Sequence, residues 1–375
     1  PPPAPPRTPV HAVAPPTEGR SKLEQFGQRM AVGYLGSELI YLETALRMAT
    51  EQGKVDDSDG KCFSLLFDSY FVMLKSFRRA ISTGAAALVV IPLLNQIVDS
   101  IREQVLPSLL RHMRDAGAAE PTNRAYLIAA NTLHSAAEYT SNLCGVVQDS
   151  FTVDFAEIAS IGEMSVEELR GLAASSAELA VDAMRSLAQA MMPTAWLLLD
   201  FGPADFDFGP ADSEQAELDA TRSFEERLLQ PLRSMLDEVV PQLCEGSVEQ
   251  LVRALASSLA GAIEAAAIQK PFSEAGAMLL ADHSRRLSDT LSALVDGSVR
   301  AEFARLNHLA FLLNASSVEE AASLLMSDLN LSSPASAVGS RLSRSEAARV
   351  LMLRVDFSKA EIAGLLPDLE LDADI

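Results

Sequence analysis

An all-α rod of two helical bundles is the fold this sequence predicts, and three features predict it. The strong helix formers Ala, Leu, Glu, Met and Arg dominate from Ser21 onward. Apolar residues recur at spacings of three and four, while the β-branched and aromatic runs that mark strands are sparse, aromatics being 6% of the chain. The tetrad S-x-x-E/Q recurs before apolar runs, a pattern in which a Ser N-cap and the side chain three residues on satisfy each other's backbone amides. At 375 residues the chain is long enough for two compact units, taking roughly 150 residues per domain.

Residues 1–20 hold eight of the 19 prolines and no apolar periodicity, which predicts an extended, solvated linker. Residues 21–199 read as a first helical bundle, within which Phe63, Phe67, Tyr70, Phe71, Leu74 and Phe77 form one apolar helix face directed into a core. Between 200 and 219 the segment FGPAD occurs twice, at 201–205 and 208–212, among acidic residues with no Lys or Arg. Gly and Pro cannot continue a helix, so an acidic hinge loop is expected there, open to a protease before either bundle is. Residues 220–365 read as a C-terminal bundle and 366–375 as an acidic tail. Five capping boxes mark helix starts: Ser165 with Glu168, Ser247 with Gln250, Ser317 with Glu320, Ser343 with Glu346 and Ser358 with Glu361. Two carry an apolar staple, Met164 with Leu169 and Phe357 with Ile362.

Charge and motif content exclude several classes of function. With 30 Lys and Arg against 51 Asp and Glu the net charge is −21, so the average surface repels nucleic acid and anionic lipid. The longest uncharged stretch, Ala80 to Val98, is interrupted by Gly84, Pro92, Asn95 and Gln96, whereas a bilayer span needs about 20 apolar residues. Direct membrane insertion is therefore not expected. Cys62, Cys144 and Cys244 stand far apart without a C-x-x-C pair and read as reduced, buried thiols, not a disulfide framework or zinc site. His11, His112, His134, His283 and His308 show no ligand spacing and read as exposed or core-edge histidines. Dinucleotide, P-loop, zinc-protease and serine-hydrolase motifs are absent. The sequence nominates no catalytic residue, cofactor or metal. Two sequons, at Asn314 and Asn330, read as chance occurrences where helices stop, and the Pro-rich opening without a starting Met or signal peptide reads as part of a longer cytosolic polypeptide.

Two segments resemble a known family. In 299–313, VRAEFARLNHLAFLL, the residues Arg300, Phe303, Ala304, Arg305 and Leu306 follow the pattern R-x-x-F-A-R-L; Leu342, Ser343, Glu346, Val350, Leu351, Leu353, Arg354, Asp356 and Phe357 follow L-[ST]-x-x-E-x-x-x-V-L-x-L-R-x-D-F. Together they resemble the C-terminal half of the family of subunit 4 of the conserved oligomeric Golgi (COG) complex. Weaker likeness extends to 41–49, to 67–80 and to the acidic insertion at 200–219, and the tail LPDLELDADI departs from the family's basic ending. The resemblance implies a CATCHR-type rod of stacked helical bundles and a non-enzymatic role in retrograde vesicle tethering and intra-Golgi transport. It implies other COG subunits, SNAREs and SNARE-regulating proteins as partners, at the cytoplasmic face of the Golgi membrane with a cytosolic pool. A family member's amino-terminal half, with its coiled coil, is not represented. A subunit of another helical-rod tether of the exocyst type, or an all-helical enzyme with unmarked residues, remains as an alternative.

Arg305 is the residue on which most turns. Val299, Phe303, Leu306, Ala310 and Leu313 make an apolar face, and Arg305 lies on its flank beside Leu309 and Leu312. A guanidinium among leucines needs a carboxylate, since a desolvated unpaired charge is costly. Glu302, three residues earlier, offers one partner; Glu346 offers a tertiary one, which the family resemblance favours. A carboxylate has two oxygens, so Glu346 can cap at Ser343 with one and accept from Arg305 with the other. The expected interaction site is thus Arg305 and Glu346, supported by Phe303, Leu306, Ser343, Leu353, Arg354, Asp356 and Phe357.

Overall fold

A computed structural model of the chain describes residues 21–51, 54–55, 60–153, 159–198, 222, 224–323 and 342–365. The expected linker 1–20, the hinge 200–219, the tail 366–375 and the sequon at Asn330 lie outside the described residues. Among the described residues every regular element is helical, with two isolated bridges, Val55 to Phe63 and Phe272 to Arg354. The principal helices are α1 (Lys22–Glu51), α2 (Ser64–Ser82), α3 (Ile91–Ser100), α4 (Leu106–Ala116), α5 (Arg124–Val153), α6 (Ala159–Leu198), α7 (Gln230–Val239), α8 (Glu245–Ala267), α9 (Glu274–Ser292), α10 (Ala304–Leu313), α11 (Arg344–Leu351) and α12 (Lys359–Leu365).

The described residues pack into two compact units, one from within 1–52, 67–105 and 140–172, the other from within 53–66, 106–139 and 173–375. Residues 106–139 and 173–198, read from sequence as part of the first bundle, thus pack in the second unit. Periodicity identifies a helix and its buried face but not the helices that cover that face, so a division drawn at a composition break does not reveal such interleaving.

In the first unit α1 buries Leu42 and Leu46, and the buried line of α2 is Tyr70, Met73, Phe77 and Ala80. Phe71, expected in the core, is 58% exposed with the Lys75 ammonium over its ring. The buried arc of α2, which also takes in Ser69 and Ser76, is centred near Met73, so Tyr70 and Phe77 lie at its edge, Phe71 falls outside it and Phe63 precedes the helix. Glu38 is buried against the Arg79 guanidinium, and Ser165 donates to Asn95 Oδ1 at 2.9 Å.

The second unit holds one continuous core built on α8, α9 and α10, with Leu251, Leu255, Leu259, Leu280, Leu287, Phe303, Leu306 and Leu309 all buried. Its polar centre is Asn131, fully buried on α5. The Asn131 Nδ2 donates to the carbonyls of Lys61 at 3.1 Å and Gln242 at 2.9 Å, while Oδ1 accepts from the Cys244 amide at 3.1 Å. One amide thereby fixes two turns against a helix and satisfies buried backbone groups that would otherwise cost free energy. Cys62 and Cys144 are buried as expected, but Cys244 is only partly so, and its Sγ lies 3.8 Å from that of Cys62. His283 is fully in the core, its ring flat on Phe224 with centroids 3.8 Å apart; burial pushes its pKa down to about 4.

Three expected helix starts are present: Ser317, Ser343 and Ser358 each accept from the amide of the Glu three residues on. Two are not. Ser165 lies inside α6, its hydroxyl turned to Asn95, and Met164 of the expected staple is exposed. Ser247 is the third residue of α8, whose N-cap is Cys244 held by Asn131. In both cases residues upstream of the tetrad already continue or start the helix, so the pattern is present without its boundary. Asn314, the other sequon, ends α10 and donates to the carbonyls of Ala310 and Ala277.

Candidate functional site

α10 begins at Ala304, which places Arg305 in its first turn, above the buried Phe303 and Leu306. Burial of Leu309 and Leu312 as well as Ala310 and Leu313 packs this short helix on most of its circumference and leaves the Arg305 side chain 34% exposed. From there the guanidinium bridges two other helices. Its Nη2 donates to Glu346 Oε1 on α11 at 2.7 Å and its Nε to Glu264 Oε1 on α8 at 2.7 Å.

Glu346 divides its oxygens as the chemistry of a carboxylate allows. Oε1 accepts from Arg305, while Oε2 accepts from the Ser343 amide at 2.7 Å, and Ser343 Oγ accepts from the Glu346 amide, completing a capping box. Arg305 first, and then the Ser343 amide and hydroxyl, hold the Glu346 carboxyl down to about pKa 2. The same two carboxylates raise the Arg305 pKa above its ordinary value, Glu346 contributing most.

Glu302 is not the partner of Arg305. It precedes the first turn of α10, in a segment of successive turns where helical i to i+3 geometry does not yet exist, and its Oε1 accepts from Arg253 on α8 at 2.8 Å. Sequence reasoning missed Glu264. Its signal was present: between Arg253 and Lys270 it is the single charged residue in an Ala-rich helix, and a lone carboxylate on such a face implies a cation opposite.

The remaining motif residues build the support. Arg354 is 2% exposed, and its Nη1 donates to the carbonyls of Leu313 and Ala315, closing the C-terminal end of α10. Its Nε and Nη2 form a bidentate pair with Asp356 at 2.8 and 2.7 Å, and the Phe357 ring lies 4.5 Å from the guanidinium carbon. Leu353 accepts from the Phe272 amide at 2.8 Å and the Val355 amide donates back to Phe272 at 3.0 Å, so this segment is tied to the start of α9. Arg354 is thus enclosed and ties the end of α10 to a half-exposed Asp356, whereas in the Arg305 and Glu346 pair both partners are about one-third exposed. Beside that pair lies an open groove of about 310 Å³, floored by Leu342, Val350 and Leu353, with Ile268 and Arg349 at its rim. Among the described residues no cluster of His, Cys, Asp and Glu could hold a metal ion.

The described residues thus form an all-helical scaffold in which an exposed ion-pair cluster joins three helices. The C-terminal domain of the exocyst subunit Sec6p superposes with a TM-score of 0.56 at 10% identity, over 92% of this chain and 89% of that one, a likeness of fold. Residues 126–349 match the model of the conserved oligomeric Golgi complex subunit 4, C-terminal family, and the chain belongs to that family. Subunit 4 of Arabidopsis thaliana is 25% identical over 318 residues, covering 82% of this chain and 42% of that protein. Subunit 4 of Caenorhabditis elegans is 22% identical, covering 92% and 47%. The chain spans less than half the length of these relatives. Arg305, Glu264 and Glu346 all fall within the matched span, whereas Arg354, Asp356 and Phe357 lie just beyond it.

Proposed function

We propose that this chain is a non-enzymatic subunit of the conserved oligomeric Golgi tethering complex, acting in retrograde and intra-Golgi vesicle transport by presenting helical surface to other subunits. The observation that carries this reading is the family match over residues 126–349. Its net charge of −21 and the absence of a helix long and apolar enough to cross a membrane, among the described residues, favour peripheral attachment at the cytoplasmic face of the Golgi through proteins. SNAREs and SNARE-regulating proteins are further partners on this reading. The test is affinity purification of the tagged chain from cells with mass spectrometry: the other subunits of the complex should co-purify, and a stable chain recovered without them would overturn the proposal.

Within this function the Arg305 and Glu346 surface is the part a partner reads. A purely structural clamp could be closed over by apolar residues, whereas this one keeps both partners about one-third exposed, 34% and 32%, at the lip of a groove. Arg305→Ala should reduce capture of the other subunits while the melting temperature changes little. Loss of capture only in step with loss of folded protein would assign the pair to stability alone.

A further inference from the structure

α1 carries two apolar faces. One, with Leu42, Leu46 and Ala49, is buried in its own unit. On nearly the opposite side Leu23, Phe26, Met30, Gly33, Ser37 and Ile40 follow one another at spacings of 3, 4, 3, 4 and 3, and the four large residues are 79%, 60%, 61% and 69% exposed. This is the a/d spacing of a coiled-coil seam over about 25 Å of helix. A Cβ added at Gly33 would meet nothing within 4 Å, so Gly33 together with the small Ser37 leaves a notch in the seam between Met30 and Ile40. Glycine within a helix costs about 1 kcal/mol relative to alanine, and no contact among the described residues explains it here. A notch between apolar knobs suits the side chain of a second helix, not a lipid surface, which has no knobs to seat.

The edge of the seam has a sign. Lys22 and Arg29 take successive flanking positions of the heptad, and neither has a carboxylate partner among the described residues, in a chain whose net charge is −21. Arg47, farther along that side, has Glu43 and Glu51 four residues to either side, so the uncompensated charge lies at the amino-terminal half. We propose that this face of α1 is a seam for an amphipathic helix of another polypeptide, with large apolar residues at matching spacing and carboxylates along the edge that meets Lys22 and Arg29. Flanking charges of this kind choose partner and register.

The test places p-benzoylphenylalanine at position 26 of the full chain in cells, with position 71 on α2, also exposed, as the comparison. Adducts formed on irradiation are mapped by mass spectrometry. The expected adduct at 26, absent at 71, lies in one segment of a different polypeptide that shows three-four apolar spacing and an acidic edge. The double variant K22E/R29E should lower its yield at least tenfold, and changing the mapped carboxylates to Lys should restore it. All substituted positions are exposed, so unchanged melting by circular dichroism verifies the fold. An adduct with lipid, with a second copy, with the same chain or with a non-acidic segment overturns the proposal, as does no adduct or a yield indifferent to the charge reversal.

Discussion

Arg305 and Arg354 act on opposite ends of α10, the first partly exposed and the second enclosed. Arg354 is enclosed, and its removal leaves two backbone carbonyls, of Leu313 and Ala315, without their donor. Each orphaned buried acceptor costs about 1–3 kcal/mol, and the stack on Phe357 is lost as well. Arg354→Met should therefore destabilise by about 3 kcal/mol or more in urea unfolding; a change under about 1 kcal/mol would mean the helix end is satisfied otherwise. Arg305 is partly solvated, so its pairs are worth less, on the order of 1 kcal/mol after screening. Arg305→Ala, Glu346→Ala and the double variant should show a coupling of roughly 0.5–1 kcal/mol in a double-mutant cycle. Additive effects would show that the 2.7 Å contact does not persist in solution. Glu264 makes the Glu346→Ala variant milder than Arg305→Ala, because it still neutralises the arginine.

At the scale of the helix, three prolines account for three irregularities. π-helical segments at Ala86–Val90, Ile101–Val105 and Glu225–Leu229 each lead into a helix with proline second, Pro92, Pro107 and Pro231. A proline ring collides with the carbonyl four residues earlier, which in each case is the central residue of the wide turn. Widening moves that carbonyl aside without ending the helix. Two glycines of α6 make a paired prediction. Gly171 has open space where a Cβ would stand, so Gly171→Ala should stabilise by about 0.5–1 kcal/mol through helix propensity. At Gly162 the added Cβ would stand 2.7–2.8 Å from three atoms of the buried Phe151 ring, so Gly162→Ala should instead cost about 1–3 kcal/mol. Thermal melts with the same sign for both would refute this placement of Phe151. Only the covalent and local parts of this architecture were legible in the sequence. Helix content, the caps at Ser317, Ser343 and Ser358, and the Glu346 partner for Arg305 depend on short-range rules or on the family resemblance. The burial of His283, the role of Asn131, the exposure of Phe71 and the second partner Glu264 depend on which helices pack together, information spread over separations of 41 residues and more.

For the molecule as a whole, pH separates core from surface electrostatics. Falling pH reduces the net charge of −21 and with it the self-repulsion of the folded state. Two site effects oppose this. Burial first of all, resisted by Asp282 and assisted by Arg286, holds His283 near pKa 4, so the folded chain keeps it neutral while an unfolded chain protonates it near 6.5. The unfolded state then binds the extra proton, and the stability present above pH 6.5 falls progressively to about pH 4, by roughly 3 kcal/mol at most. Below that the carboxylates act: Glu346, held near 2 chiefly by Arg305, and Asp356, lowered chiefly by Arg354, contribute stability that is present above about pH 4.5 and lost as pH falls through their folded values. Because charge relief acts on wild type and variants alike, differences isolate the sites. The wild-type advantage over His283→Gln in chemical denaturation should shrink by about 2–3 kcal/mol between pH 7 and 4 and then level off. The advantage over Glu346→Gln should stay constant above pH 4.5 and decline below it. Parallel stability curves for wild type and His283→Gln across the upper window would mean that the imidazole reaches water in the folded protein, and would remove it from the core against Phe224.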